Sequence, residues 1–130
     1  MKALNPPGWP RPKGYANGVS ARGRTIVTAG VVGWNDREEF EAEDLVGQFR
    51  QILVNTLAIL AEDGAGPEHI VRMTWYVTDM AEYRAGLKEI GAVYRALIGK
   101  HFPAMAALGV TALVEPKARI EIETVAVVPE

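Results

Sequence analysis

Two glutamates near the end of the chain are the first candidates for chemistry. Glu121 and Glu123 alternate with Ile120 and Ile122, so in a strand both project from one face, together with Arg119, Val125 and Val127. A carboxylate on a partly apolar sheet face is in the setting that raises a carboxyl's proton affinity and lets it activate a water. The same spacing also suits a solvated edge strand in which Arg119 pairs with Glu121 or Glu123. The aromatic residues Tyr15, Trp34, Trp75, Tyr76 and Phe102 fit either an apolar pocket or the core. Other chemistries lack their residues. There is no cysteine, which removes disulfides, thiolate catalysis and cysteine-ligated metals. The two histidines, His69 and His101, are 32 positions apart with no flanking ligand pattern, so no metal site is expected, and both read as hydrogen-bonding loop residues. Ser20 is the only serine and sits in no Gly-x-Ser-x-Gly turn. Gly64-Ala65-Gly66 lacks the third glycine and the Lys-Ser/Thr of a phosphate loop.

The elements that must position these residues follow from the pattern of apolar positions. Asn5 to Gly14 is rich in proline and glycine and is an arm or loop carrying Trp9. Tyr15–Ala21 and Thr25–Val32 read as strands, with Arg22-Gly23-Arg24 as the hairpin turn between them. After a polar loop over residues 33–41, Glu43–Glu62 is expected to be helical. Its Leu45, Phe49, Ile52, Leu53, Leu57 and Leu60 recur near every 3.6 residues, and Gly64 stands where a left-handed cap belongs. Ile70–Thr78 alternates as a strand, with Val71, Met73, Trp75 and Val77 on one face. Asp79-Met80-Ala81-Glu82 resembles a capping box and opens a second helix that carries Tyr83, Leu87, Ile90, Tyr94 and Leu97 on one stripe and ends at Gly99. Strands over Ala106–Val114 and Arg119–Val128 complete the order β-β-α-β-α-β-β.

That order predicts an α+β fold, with both helices on one face of a single mixed sheet. Trp75, Met73 and the apolar residues of the last strands cannot all face two helices. The sheet's other face is therefore expected to be covered by further copies of the chain. The 130 residues suit one domain, 1–130, with residues 1–14 as its N-terminal arm. Fourteen basic against sixteen acidic side chains leave a net charge of −2 with no basic stripe, which argues against a nucleic-acid partner. No run of apolar residues approaches the roughly 20 that a membrane span needs, and prolines interrupt the start before any leader-like segment forms. A soluble, cytoplasmic protein is the expectation.

Several of these segments together resemble one family, the Rid superfamily (YjgF-type, also labelled L-PSP endoribonuclease-like). Gly14-Tyr15-Ala16-Asn17-Gly18-Val19 resembles the family's Gly-Pro-Tyr-Ser-Gln-Ala-Val, and Val27-Thr28-Ala29-Gly30 its strand ending in Ser-Gly-Gln. Gln48, Gln51 and Asn55 match its helix pattern, and Gly64 to Thr74 its glycine turn and following strand. Val77-Thr78-Asp79-Met80, His101-Phe102-Pro103-Ala104 and Ile120 to Ala126 match as well. The resemblance implies a chorismate-mutase-like fold and a homotrimer with a small-molecule pocket at each subunit interface. It also implies deamination of reactive enamines and imines without a cofactor. In that chemistry an arginine clamps the substrate carboxylate while a water activated near a glutamate attacks the imine carbon.

The departures from the family pattern fall within that pocket. Family Pro-Ala-Arg reads here as Pro103-Ala104-Met105, so a thioether replaces the clamping arginine. The adjacent cysteine position is Ala107. The helix asparagine is Gly91, the serine before the strand glycine Gly30 is Ala29, and the glutamine after it is Val31. Arg72 and Arg119 match basic positions the family already has. By resemblance Glu121 keeps the catalytic role, and Tyr15, Gly30, Met105, Ala107 and Trp34 form the substrate-binding set. The implied function is a diverged deaminase or hydrolase acting on an enamine- or imine-type metabolite other than a simple 2-imino acid, with a neutral or differently charged ligand suiting the Met105 pocket. The alternative is a non-catalytic trimer that binds a metabolite or a partner. The family's ribonuclease label fits poorly with the charge.

Overall fold

In a computed structural model describing residues 1–130, the chain is α+β. Its main sheet comprises five strands. Strand β3 (Arg24–Val27) pairs antiparallel with β7 (Ile120–Val128), which pairs antiparallel with β5 (Ile70–Val77), which pairs in parallel with β6 (Ala104–Gly109). The short β4 (Val31–Val32) also lies along β7. Helix α1 (Leu45–Ala61), α2 (Met80–Ala85) and α3 (Leu87–Leu97) contribute to a core on one face of this sheet. There Phe49, Ile52 and Leu53 meet Met73, Val77, Ile120 and Ile122, all fully buried, and the Phe49 and Trp75 rings are 4.9 Å apart.

Local signals account for most boundaries. Asp44 caps α1 by accepting the Gly47 N–H at 3.1 Å, and Gly64, at φ +74°, reverses the chain beyond it. Asp79 caps α2 through the Glu82 N–H at 3.1 Å. Glu82 does not return the bond to Asp79. Its carboxylate accepts the Leu45 N–H and the Arg119 guanidinium instead, tying three elements together.

Five expectations change. The strand ending at Ser20 makes no hairpin with the next one: β2 (Gly18–Ser20) pairs with β1 (Lys2–Leu4), which lies in the segment read as an arm. The run Thr25–Val32 splits in two, because Thr28 Oγ1 accepts the Thr124 N–H at 3.0 Å and donates to the Ala29 carbonyl at 2.8 Å, replacing regular pairing. The second helix is two helices, broken at Gly86, whose N–H bonds back to Glu82 and Tyr83. Strand β6 starts and ends earlier than Ala106–Val114. It is an edge strand, and after the Val110 N–H reaches the Val77 carbonyl, β5 has no more to offer.

The fifth change concerns the sheet faces. An irregularity in pairing between Ile70 and Arg72 puts Ile70, rather than Val71, on the helix side with Met73, Trp75 and Val77. Trp75 and Met73 therefore do face the helices. The other face carries Glu121, Glu123, Val125 and Val127 of β7 beside Thr74 and Tyr76 of β5 and Val27 of β3, the last 69% exposed. No helix of the chain is long and apolar enough to cross a membrane.

Candidate functional site

Glu121 is held at the point where β7 meets β4. Its register partners are Val32 on one side and Tyr76 on the other. Its carboxylate lies over Gly30, so closely that a Cβ at Gly30 would collide with Oε2. The Thr28–Thr124 bonds fix the turn that carries Gly30. Helix α1 fixes the neighbouring loop. Asn55 donates to the carbonyls of Val32 at 3.3 Å and Trp34 at 2.7 Å, while its own oxygen accepts from Gln51. Gly30, Trp34 and Asn55 line a groove of about 400 Å³, and Trp34 packs on Phe40 with ring centroids 5.9 Å apart. Beside Glu121, Tyr76 donates its hydroxyl to Glu123 at 2.5 Å. That bond, with some burial and the charges of Glu123 and Glu121, holds the Tyr76 phenol above the usual tyrosine range.

Met105 and Ala107 lie elsewhere. On β6 they pair with Met73 and Trp75 and face the helix side. Met105 lines a cleft of about 310 Å³ with Trp75, Tyr83, Tyr94, Arg95 and Phe102. Burial pushes the phenols of Tyr83 and Tyr94 upward, so both remain donors through the physiological range. Tyr94 donates to the His101 carbonyl at 2.5 Å and stacks on Phe102 at 5.8 Å. Tyr15 sits at the β6 edge, where Ala16 bridges Ala104, and lines a separate cleft of about 390 Å³ that also meets Phe102.

The six residues singled out from the sequence thus form two groups within one chain. Glu121, Gly30 and Trp34 gather at the β4–β7 end. Tyr15, Met105 and Ala107 lie around β6, with β5 between them and β7. Two pairings considered for the glutamates change as well. Arg119 turns toward the helices, bonding the Glu43 carbonyl at 2.6 Å and Glu82 at 3.1 Å, and pairs with neither Glu121 nor Glu123. His69 accepts the Gly66 N–H at 2.9 Å and His101 bonds the Ile70 carbonyl at 2.6 Å, so both serve loops as the sequence suggested. No group of three acidic or histidine side chains converges as metal ligands would.

A larger cleft, about 570 Å³, lies under the loop over residues 111–119. Its central polar groups are committed to structure: Gln48 donates to the Ala42 and Lys117 carbonyls and accepts from Arg119 N at 2.8 Å. Sequence reasoning passed over Lys13 and one helical residue of the Met105 cleft, Arg95. The available signal was its spacing of four from Gly91, which puts both on one face of α3.

The Endoribonuclease L-PSP family profile matches residues 10–128. A 2-iminobutanoate/2-iminopropanoate deaminase from Salmonella typhimurium is 33% identical over 117 residues, covering 87% of this chain and 86% of its own. A RutC family protein from Aquifex aeolicus is 34% identical over 128 residues, 98% of this chain and 99% of that one. Among solved structures, YyfB of the Rid protein family from Yersinia pestis, described as of unknown function, superposes with a TM-score of 0.86 at 34% identity, covering 98% of both chains.

Proposed function

Since the chain belongs to the Rid (Endoribonuclease L-PSP) family, we propose that it is a cofactor-independent deaminase or hydrolase of an enamine or imine other than a simple 2-imino acid, acting as a homotrimer. The observation that carries this reading is the Glu121 carboxylate seated on Gly30 beside the Trp34 groove. A carboxylate so placed can take a proton from water as the water adds to an imine carbon, and return it to the departing nitrogen. The deaminase activity named for the Salmonella relative supports the reaction class. Met105 in place of the family's arginine argues for a different substrate.

The trimer has its own support. Glu121 and Met105 lie on opposite faces of the sheet within one chain, so a site that uses both groups needs a second copy. The exposed Val27, with Val125 and Val127, supplies an apolar surface for that contact.

The test pairs two measurements. Glu121→Gln is expected to abolish ammonia release from freshly generated imines while leaving the sedimentation of the wild type unchanged. Full turnover in that variant would remove Glu121 from the mechanism. A species of 14.1 kDa at micromolar concentration would remove the trimer.

A further inference from the structure

Helix side chains lean toward the N-terminus, so a long residue covers the surface one turn before its own Cα. On α3, Arg95 does this over Gly91: a methyl group at position 91 would sit 3.4 Å from Arg95 Nη1. With no side chain at Gly91, the guanidinium lies along the wall of the Met105 cleft. Arg95, exposed at the rim, forms no ion pair and no side-chain hydrogen bond in the chain, which leaves its guanidinium free for a ligand. Lys13 stands at the same cleft, and no acidic residue lines it. A chain of net charge −2 has thus gathered two cations and no anion around one small cavity. The remaining wall is aromatic and aliphatic, with Trp75, only 4% exposed, at its base.

The geometry points to Arg95 as the anion-holding residue of this cleft, and to a small monocarboxylate with an apolar body as the ligand class. The inference rests on the Rid-type reading for the site's reaction but not for its charge. The positive group lost from the strand at Met105 is supplied from the helix at Arg95, which approaches from another direction. The planar fork of a guanidinium holds a carboxylate by two parallel hydrogen bonds. The ring of Phe102, the Trp75 indole and the Met105 thioether then receive an apolar body larger than the methyl or ethyl of the simplest 2-imino acids.

The experiment compares 3-phenylpropanoate with its uncharged amide by titration calorimetry against the intact protein. The acid is expected to bind at least ten-fold more tightly than the amide. Arg95→Gln should bring the acid down to the amide's affinity and leave the amide unchanged, and Arg95→Lys should recover part of the difference. Equal affinities for acid and amide, no binding of either, or an unchanged acid affinity in Arg95→Gln would overturn the proposal. Ammonia release from uncharged and from carboxylate-bearing imines is followed in the same variants. Turnover of a carboxylate-bearing imine that survives Arg95→Gln unchanged keeps the catalytic reading and sinks the Arg95 role. Arg95-dependent binding of the acid without turnover of any imine does the reverse.

Discussion

The carboxylate of Glu121 rests on the α-carbon of Gly30, with no room between them for a side chain. The backbone at Gly30 lies outside the left-handed region. Glycine is therefore required there for the approach and not for the backbone. Gly30→Ala should leave the turn intact and push the glutamate aside, because a carboxylate end yields more easily than backbone. The expected result is a fall in turnover approaching that of Glu121→Gln, with a loss of stability under about 1 kcal/mol. Turnover measured beside a denaturant melt checks it, and wild-type rates would show that the position of Glu121 is not critical.

Gln48 offers a structural counterpart. It is 1% exposed and satisfies two carbonyls and one N–H across the 42–48 and 117–119 segments. Gln48→Ala leaves these part-buried groups without their partner and removes a fully buried side chain, so a destabilisation of about 1–3 kcal/mol is expected. Urea unfolding measures it. A change below about 1 kcal/mol would mean that water replaces the amide.

The elements legible from the sequence are those whose signals are local. Asp79, Gly64 and Gly99 mark helix ends because a cap is decided by a few neighbouring residues, and the stripe from Leu45 to Leu60 finds the core because one helix face suffices to define it. The misread features depend on distant partners. Lys2–Leu4 has no pattern of its own and becomes a strand only because β2 lies beside it. The break at Thr28 depends on Thr124, 96 positions away. The site behaves likewise. Glu121 was visible from alternation along one strand, whereas the wall of the Met105 cleft draws on α2, α3, β5, β6 and the loop after Pro12. Arg95 acquires meaning only once α3 is laid against β6.

Tyr94 links the cleft to the loop before β6 and gives the protein a pH signature. Burial raises its folded-state value above the ordinary 10.0. Above pH 10 the unfolded chain gives up this proton while the folded one keeps it, so the unfolded state binds fewer protons and stability falls as pH rises. The contribution is complete below pH 10 and erodes above it. Tyr94→Phe should cost about 1–2 kcal/mol at pH 7, through the orphaned His101 carbonyl. It should also shed part of the alkaline slope, up to about 1.4 kcal/mol per pH unit. Melts between pH 7 and 11 test both, and parallel curves for the two proteins would contradict the pH argument.

Restoring the family's arginine at position 105 should not restore the family's reaction. Met105 packs against the core and shares its cleft with Arg95 and Lys13, with no acidic side chain among the lining residues. Met105→Arg therefore adds a third cation beside two unpaired ones, a repulsion of about 1–3 kcal/mol at the effective dielectric of a protein surface, and it also loses the thioether's packing. The side chain can escape part of this cost by snorkelling toward water, but it then leaves the place where a substrate carboxylate would be held. Gly91 and Ala107 supply no side-chain hydrogen bonds to orient it. The melting temperature is expected to fall by about 5 °C or more, with a carboxylate ligand recovering part of the loss and its amide none. Deaminase activity on 2-iminopropanoate should stay low. A large activity gained from this one substitution would mean that the rest of the site is still arranged for small 2-imino acids, and that Met105 alone sets the difference.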